Sequence, residues 1–118
     1  KKIFLTSVDL ETERKMNMAL EINMNNFKEE VVEAKETVLA DFWAPWCGPC
    51  RMQGPVLEKF AEANPDVKVV KINVDDNQEL AMQFKIMSIP SMIVFKNGEA
   101  VNCAVGLQSK AALEELVK

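Results

Sequence analysis

The sequence VLADFWAPWCGPC, residues 38–50, decides the fold of this 118-residue chain. Its first six residues are β-prone and apolar on both faces except at Asp41, and the run is too short for a helix, which predicts a buried central strand. Two cysteines follow at once, and from Pro49 the pattern turns helical until the Asn-Pro pair at residues 64 and 65. This segment therefore predicts a strand, a short loop carrying two thiols, and a helix.

The spacing of the two cysteines predicts a redox-active pair. Cys47 and Cys50, at i and i+3 on the first turn of a helix, lie on one side and are close enough for a disulfide. Cys47 would lie at the helix N-terminus, where free backbone N–H groups and the helix dipole favour the attacking thiolate, with Cys50 one turn deeper. Gly48 lets another chain approach closely, and Pro49 has its φ already set for the helix.

The pair has two other interpretations, half of a zinc site and a purely structural disulfide. A structural zinc site needs four Cys or His ligands, and the chain has no histidine and only Cys103 as a third thiol. We therefore expect no metal and treat Cys103 as a bystander. A structural disulfide stays open, although Gly and Pro between the cysteines, with Trp46 beside them, suit a reactive loop better.

The rest of the chain alternates between strand and helix patterns. Further strands are predicted at residues 19–22, 67–74, 92–95 and 99–105, the last two joined by an Asn97-Gly98 hairpin. The order strand, helix, strand, helix, strand, helix, hairpin, helix predicts parallel crossovers followed by antiparallel strands. We therefore expect an α/β fold with a mixed sheet and helices on both faces.

Four helices are predicted from caps and apolar spacing. Asn26 would cap the first helix, with Glu29 as the acidic member of a capping box. Asp75 or Asp76 would cap the third, and Ser109 the last. For the helix after the cysteines, the expected buried stripe consists of Met52, Val56, Phe60 and Ala63.

Composition bounds the partners. The net charge of −4 supplies no basic excess for nucleic acid or an anionic membrane, so we expect protein partners and neither of those two. No apolar run approaches the roughly 20 residues of a membrane span. The apolar stretch at the start of the chain is too short for a signal peptide, so we do not expect one there. Three cysteines favour a reducing compartment, so we expect a cytoplasmic protein.

Several motifs together resemble the thioredoxin family. They are WCGPC after VLADFWAP, KINVD containing Lys71, Ile89-Pro90-Ser91, KNGE, and Val105-Gly106. The resemblance runs from about residue 19 to the end and implies a thioredoxin fold, a central mixed five-stranded sheet flanked by four helices. It also divides the chain into an N-terminal extension or cloning-derived segment, residues 1–17, and a thioredoxin domain, residues 18–118.

The resemblance implies roles for four residues. Cys47 matches the nucleophile, Cys50 the resolving thiol, Asp41 a buried carboxylate that relays a proton, and Lys71 the lysine beside that carboxylate. Burial in the predicted strand would independently raise the pKa of Asp41 toward neutrality. The alternatives are a solvent-facing Asp41 on a strand edge and a merely solvated Lys71.

The resemblance also implies a substrate-binding surface. Ile89-Pro90 matches a cis-proline loop facing the cysteines, whereas the statistics of X-Pro bonds alone favour trans. The main chain of Ile89 would pair with an extended substrate segment. A flat apolar rim around an exposed Cys47 sulfur would consist of Trp46, Ile89, Pro90 and Gly106, with Gly48 and Pro49 beside it. Phe42, Trp43, Met52 and Met87 are expected to be packing residues instead.

The activity implied is reduction of protein disulfides by a monomer without a cofactor, recharged by a thioredoxin reductase. Such a protein would serve electron transport and cell redox homeostasis. Gly48-Pro49 resembles the reducing members, but an oxidase or isomerase within the same fold stays open. A non-catalytic interaction or chaperone-like module using the same rim is the alternative from another class.

Overall fold

The computed structural model describes residues 19–118, so the expectations for residues 1–17 lie outside it. The elements, in chain order, are β1 (Leu20–Glu21), α1 (Lys28–Val32), β2 (Thr37–Trp43), α2 (Gly48–Ala63), β3 (Val67–Asn73), α3 (Gln78–Gln83), β4 (Ser91–Lys96), β5 (Glu99–Val105) and α4 (Lys110–Leu116). Each predicted strand is present, with ends that move by one or two residues.

The five strands form one mixed sheet in the order β1-β3-β2-β4-β5. β3 pairs in parallel with both β1 and β2, whereas β4 runs antiparallel to β2 and to β5. This confirms the predicted topology of parallel crossovers followed by a hairpin. It also makes β2, which leads into the cysteines, a central strand with neighbours on both sides.

Two apolar clusters cover the two faces of the sheet. On one face Val31 of α1 and Leu80 of α3 pack against Phe42, Val70 and other residues of the strands. The opposite face, with Leu39, Val69, Met92 and Val94, is covered by residues of the other two helices, Leu57, Phe60 and Leu113. Helices therefore cover both faces, as the sequence predicts, and α2 is held by its own buried side chains.

The first helix differs from its prediction. It is a five-residue π-helical segment that makes no side-chain capping bond. Asn26 does not cap it, because the Asn26 side chain accepts from the main-chain N–H of Asn23. Asn23 instead accepts from the N–H groups of Asn25 and Asn26. The predicted capping box is therefore wrong. Three asparagines lie close together in this turn, and the side chain of Asn23, not that of Asn26, accepts hydrogen bonds from the N–H groups of residues 25 and 26.

The buried stripe of α2 is also different from the predicted one. Cys50, Gln53, Leu57 and Phe60 are buried, whereas Met52 is 62% exposed. The predicted stripe omitted Gln53 because that residue is polar. It is confirmed at Phe60, and Val56 is half-buried against the core, but the prediction is wrong at Met52 and Ala63, which are exposed. A buried glutamine needs hydrogen-bond partners, and the partners of Gln53 lie close to the cysteines.

Of the caps predicted for the last two helices, one is wrong and one is confirmed. Asn77, not Asp75 or Asp76, precedes α3, and it makes no side-chain capping bond. Ser109 does cap α4 through a 3.1 Å bond from the N–H of Ala112, as predicted. The hairpin prediction is confirmed, since Asn97 and Gly98 both have positive φ, of 54° and 82°.

Candidate active site

The two cysteines lie where β2 gives way to α2. They form a disulfide with a Cα–Cα distance of 5.2 Å. Cys47 is the N-cap of α2, and its Sγ accepts from the N–H of Cys50 at 3.2 Å. Pro49 occupies the first turn, where no intrahelical N–H is lost. One sulfur is therefore held among the free donors of a 16-residue helix.

The sulfurs are more enclosed than expected. Cys47 and Cys50 are 5% and 4% exposed, and they pack with Ala44, Trp43 and Ile89. The carbonyl oxygen of Ile89 lies 3.8 Å from the Cys47 Sγ. The expected exposed sulfur is thus wrong for the disulfide form, because the 88–90 loop and the strand end cover it.

An open apolar surface adjoins the covered pair. Trp46 is 67% exposed, and its indole N–H donates to Asp75 at 2.9 Å, which fixes the ring. A groove of about 550 Å³ runs beside it, lined also by Ile89, Met82 and Met87. Met87 is 92% exposed, so the expectation that it packs in the core is wrong, as it is for Met52. Phe42 is fully buried as expected, and Trp43 is half-buried.

The Ile89-Pro90 peptide bond is cis, as the resemblance implied. Pro90 itself is buried, and its carbonyl accepts from the N–H of Gly106 at 2.8 Å. Gly106 has a φ of 92°, a conformation that favours glycine. The exposed part of the predicted rim therefore rests on Trp46, Ile89 and Gly106, and one hydrogen bond joins the last two segments.

Asp41 is buried in the central strand. It is 1% exposed, and its Oδ1 has no hydrogen-bond partner among the described residues. Burial raises the pKa of Asp41 to about 7, against opposition from the Lys71 charge and with a smaller push from Glu21. A solvent-facing Asp41 on a strand edge is excluded. The carboxyl can therefore take up or release a proton near neutral pH.

Lys71 lies beside Asp41 in the sheet. The two residues are register partners in the parallel β2–β3 pair, and Glu21 is the register partner of Lys71 on the other side. The ammonium group of Lys71 lies 4.3 Å from the centre of the Trp43 ring. Trp43 in turn packs with the cysteines, so its ring contacts both the Lys71 ammonium group and the cluster that holds the disulfide.

Sequence reasoning missed Glu21 and Gln53. Only the pairing of β1 with β3 brings Glu21 beside Lys71, and no local pattern encodes that register. For Gln53 a signal was available, because Cys50, Gln53, Leu57 and Phe60 follow regular helical spacing. A polar residue in such a stripe indicates a buried hydrogen-bonding role.

Two kinds of feature are absent from the part of the chain that the structure describes. Between residues 19 and 118 no group of three or more Cys, Asp or Glu side chains is arranged to hold a metal ion. In the same range no helix has the length and apolar character that a membrane crossing requires. Cys103 is a free, exposed thiol on β5.

A dithiol at the tip of a helix that packs on a mixed sheet, facing a cis-proline loop, defines a thiol-disulfide oxidoreductase. The thioredoxin family model matches residues 2–118. The chain is 57% identical over 81 residues to the thioredoxin of Bacillus subtilis, covering 68% of this chain and 78% of the relative. It is 54% identical over 90 residues to that of Alicyclobacillus acidocaldarius, covering 75% and 85%.

A third relative, thioredoxin 1 of Synechococcus elongatus, is 48% identical over 99 residues, which is 83% of this chain and 92% of that protein. The chain belongs to the thioredoxin family. It is accordingly a protein-disulfide reductase, and its Cys47 and Cys50 form a disulfide in this structure.

Proposed function

We propose that each residue of the site has a defined task in this reduction, with Cys47 as the nucleophile. The observation that carries the proposal is the position of its Sγ at the N-cap of α2, accepting from the N–H of Cys50. In the reduced protein the same donors stabilise a thiolate at Cys47. Gly48 leaves open space around its Cα, since a Cβ there would meet nothing within 4 Å, so a substrate chain can approach.

The reaction passes through a mixed disulfide. The Cys47 thiolate attacks one sulfur of a substrate disulfide, forming a new S–S bond and releasing the other substrate sulfur as a thiolate. Cys50 then loses its proton and attacks the Cys47 sulfur, which restores the 47–50 disulfide and releases the second substrate thiolate. Two electrons pass to the substrate, and the disulfide form of the protein remains.

Asp41 is the proposed acceptor of the Cys50 proton. Its pKa of about 7 means that a fraction of molecules holds the carboxylate at neutral pH, ready to accept. Lys71 is the proposed partner of this carboxylate, because its positive charge lowers the pKa of Asp41 and so limits the rise caused by burial. Both are charged groups on the sheet face that α2 covers.

The proposed substrate is an extended protein segment lying across Trp46, Ile89, Pro90 and Gly106. Within residues 19–118 neither the N–H nor the C=O of Ile89 has a main-chain partner, which leaves both free for a strand-like pairing. Such recognition reads the main chain and tolerates many sequences. The exposed Trp46 ring and the groove beside it add apolar contact area.

The cycle requires a source of electrons, for which we propose a thioredoxin reductase. The proposed place of action is the cytoplasm, where thiols stay reduced, with roles in electron transport and cell redox homeostasis. A single chain holds every proposed residue, so the proposed working unit is a monomer without cofactor or metal. All of these residues lie within the proposed catalytic domain, residues 18–118, and removal of residues 1–17 should leave activity intact.

Insulin reduction tests the assignment of the cysteines. Cys47→Ser should abolish turnover, because neither Cys50, inside the first turn, nor Cys103, on β5, occupies the N-cap of α2. Cys50→Ser should accumulate a mixed disulfide with substrate, because the resolving step is lost. Cys103→Ser, the matched control at an exposed free thiol, should retain full activity. A Cys47→Ser protein that still turns over would remove Cys47 from its proposed role.

Asp41 and the direction of electron transfer need separate measurements. With Asp41→Asn, single-turnover release of substrate from the mixed disulfide should slow at pH 7, while its formation at Cys47 should not. Equal effects on both steps would contradict a role specific to Cys50.

The redox potential tests the proposed direction of electron transfer. Equilibration with glutathione should give a potential typical of the reducing members of the family, and a potential at the oxidase end would reverse that direction.

A further inference from the structure

A buried amide connects the catalytic helix to the loop after β5. Gln53, 0% exposed, lies one turn beyond Cys50 on α2. Its Nε2 donates to the carbonyl of Gln108 at 2.9 Å, and its Oε1 accepts from the N–H of Gln108 at 2.8 Å. Both main-chain polar groups of Gln108 are thus matched by one side chain, in the manner of a strand neighbour.

This pair continues toward the substrate surface. The Gln108 side-chain amide donates to the carbonyls of Val105 and Gly106, at 3.2 and 3.1 Å. The N–H of Gly106 donates to the carbonyl of Pro90, the residue after Ile89. Hydrogen bonds therefore connect Gln53 to the cis-proline loop, whose Ile89 oxygen lies 3.8 Å from the Cys47 Sγ.

The loop has few other attachments. Residues 106–108 lie outside β5 and α4, and the main chain of Gln108 has no main-chain hydrogen bond in the described part of the protein. The adjoining Val105 and Leu107 are 63% and 45% exposed, so they add little packing to hold the loop. Its position relative to α2 depends mainly on the Gln53 amide, which is why a polar residue occupies a buried place on that helix.

We propose that Gln53 is a positioning residue for protein-disulfide reduction, which holds residues 106–108 against α2 so that Gly106 meets the substrate chain beside Cys47. The inference rests on the proposed substrate surface that includes Gly106. Within the described residues, the side-chain hydrogen bonds of Gln53 go to Gln108 and not to the sulfurs. Its loss should therefore weaken the binding of protein substrates and leave the chemistry of Cys47 unchanged.

The first test is Gln53→Leu, which keeps the size of the side chain and removes both bonds. The KM for insulin should rise about 5- to 30-fold, the range for losing one to two ordinary hydrogen bonds, because fewer molecules hold the loop in place. The kcat, the alkylation rate of Cys47 by iodoacetamide and the reduction of a small aromatic disulfide should stay at parent values. A parent-like KM, or an equal loss with the small disulfide, would overturn the proposal.

Asn64→Leu is the matched control for stability. The Asn64 amide at the far end of α2 donates to the carbonyl of Phe60 and to Glu114, so this variant also removes side-chain amide bonds from the same helix. Both variants should lower the free energy of unfolding, but Asn64→Leu should leave the KM unchanged. If the KM rises equally in both, the role of Gln53 is structural alone and the proposal fails.

Two further measurements cover a Gln53→Leu protein that does not fold. Gln53→Glu keeps the shape of the side chain, and its protonated acid offers one donor and one acceptor. The ratio of its KM to that of the parent should therefore fall toward one as the pH is lowered. Gln108→Ala removes only the bonds to Val105 and Gly106, and should raise the KM about 5-fold. A Gln53→Glu ratio that does not change with pH, together with a parent-like Gln108→Ala, would overturn the proposal.

Trp46→Ala separates failure of the substrate surface from failure of the amide pair. If Trp46→Ala raises the KM for insulin and Gln53→Leu does not, the surface stands and the inference about Gln53 is wrong. If neither does, the proposed surface fails, and the inference fails with it. Hydrogen exchange of the main-chain N–H of Gln108 gives a direct readout, because that group donates to Gln53. Its exchange should become at least about 10-fold faster in Gln53→Leu and should not change in Trp46→Ala.

Discussion

Replacing Asp41 should make the fold more stable, and the gain should appear as pH rises. In the unfolded chain the carboxyl titrates near its ordinary value of 3.8, whereas burial raises the pKa of Asp41 to about 7 in the fold. Below the lower value both states carry the proton. Between the two values the unfolded chain releases its proton while the fold retains it, so stability falls as pH rises, and above about 7 the penalty is constant.

The size of the effect follows from those two values. They differ by about three pH units, at about 1.4 kcal/mol per unit, which corresponds to about 4 kcal/mol above pH 7. Because Asp41 is only 1% exposed, screening by solvent reduces this energy only slightly. Because whole domains have a free energy of unfolding of only about 5 to 15 kcal/mol, the change is large.

The assay is urea unfolding of the parent and of Asp41→Asn, both as the disulfide form, at pH 3.5 and at pH 8. The difference in the free energy of unfolding between the two proteins should change by about 4 kcal/mol in favour of the variant, equivalent to a midpoint shift of about 2 M urea. Any constant cost of burying the new amide cancels in this comparison. Asp66→Asn, at an exposed carboxylate, should show a difference within about 0.5 kcal/mol. A difference for Asp41→Asn that does not change with pH would refute the reasoning.

Three other outcomes are expected. Gly54→Ala should stabilise the protein by about 0.5 to 1 kcal/mol in urea unfolding, because Gly54 lies inside α2 and a Cβ there meets nothing within 4 Å; a loss of stability would contradict this. Gly98→Ala should cost more than about 1 kcal/mol in the same measurement, because φ is 82° and a Cβ would come within 2.7 Å of the Val32 carbonyl oxygen; a neutral result would be inconsistent with that geometry. Lys71→Met should raise the pKa of Asp41 further, since it removes the charge that lowers it, and an NMR titration of the carboxyl carbon that moves to lower pH would show the opposite sign.

The strands of the sheet could be predicted almost completely from the sequence, because their signals are local. The apolar runs of β2 and β3 and the Asn97-Gly98 turn each determine their own structure with little help from distant residues. The position of the dithiol follows from one short motif at the end of a strand. Each of these features depends on residues within a few positions of one another.

The errors arose where distant groups compete. Gln53 is buried because the main chain of Gln108, 55 residues further on, matches its amide, and hydropathy alone excludes it from the core. Met52 and Met87 are exposed although both are apolar, because burial depends on what the neighbouring elements cover. The alignment of Glu21, Lys71 and Asp41 requires the register of three strands, which periodicity does not provide.

The disulfide at the tip of α2 closes a very small ring, since its cysteines are three residues apart. In the chain-entropy model so small a loop restrains the unfolded protein by only about 2 kcal/mol, against about 5 for a loop of 100 residues. The two large apolar clusters on the sheet faces include neither cysteine. Opening the bond at a turnover therefore removes about 2 kcal/mol of stability, well below the figure for a long loop, while both apolar clusters stay intact in the two halves of the cycle, as a reusable carrier of electron pairs requires.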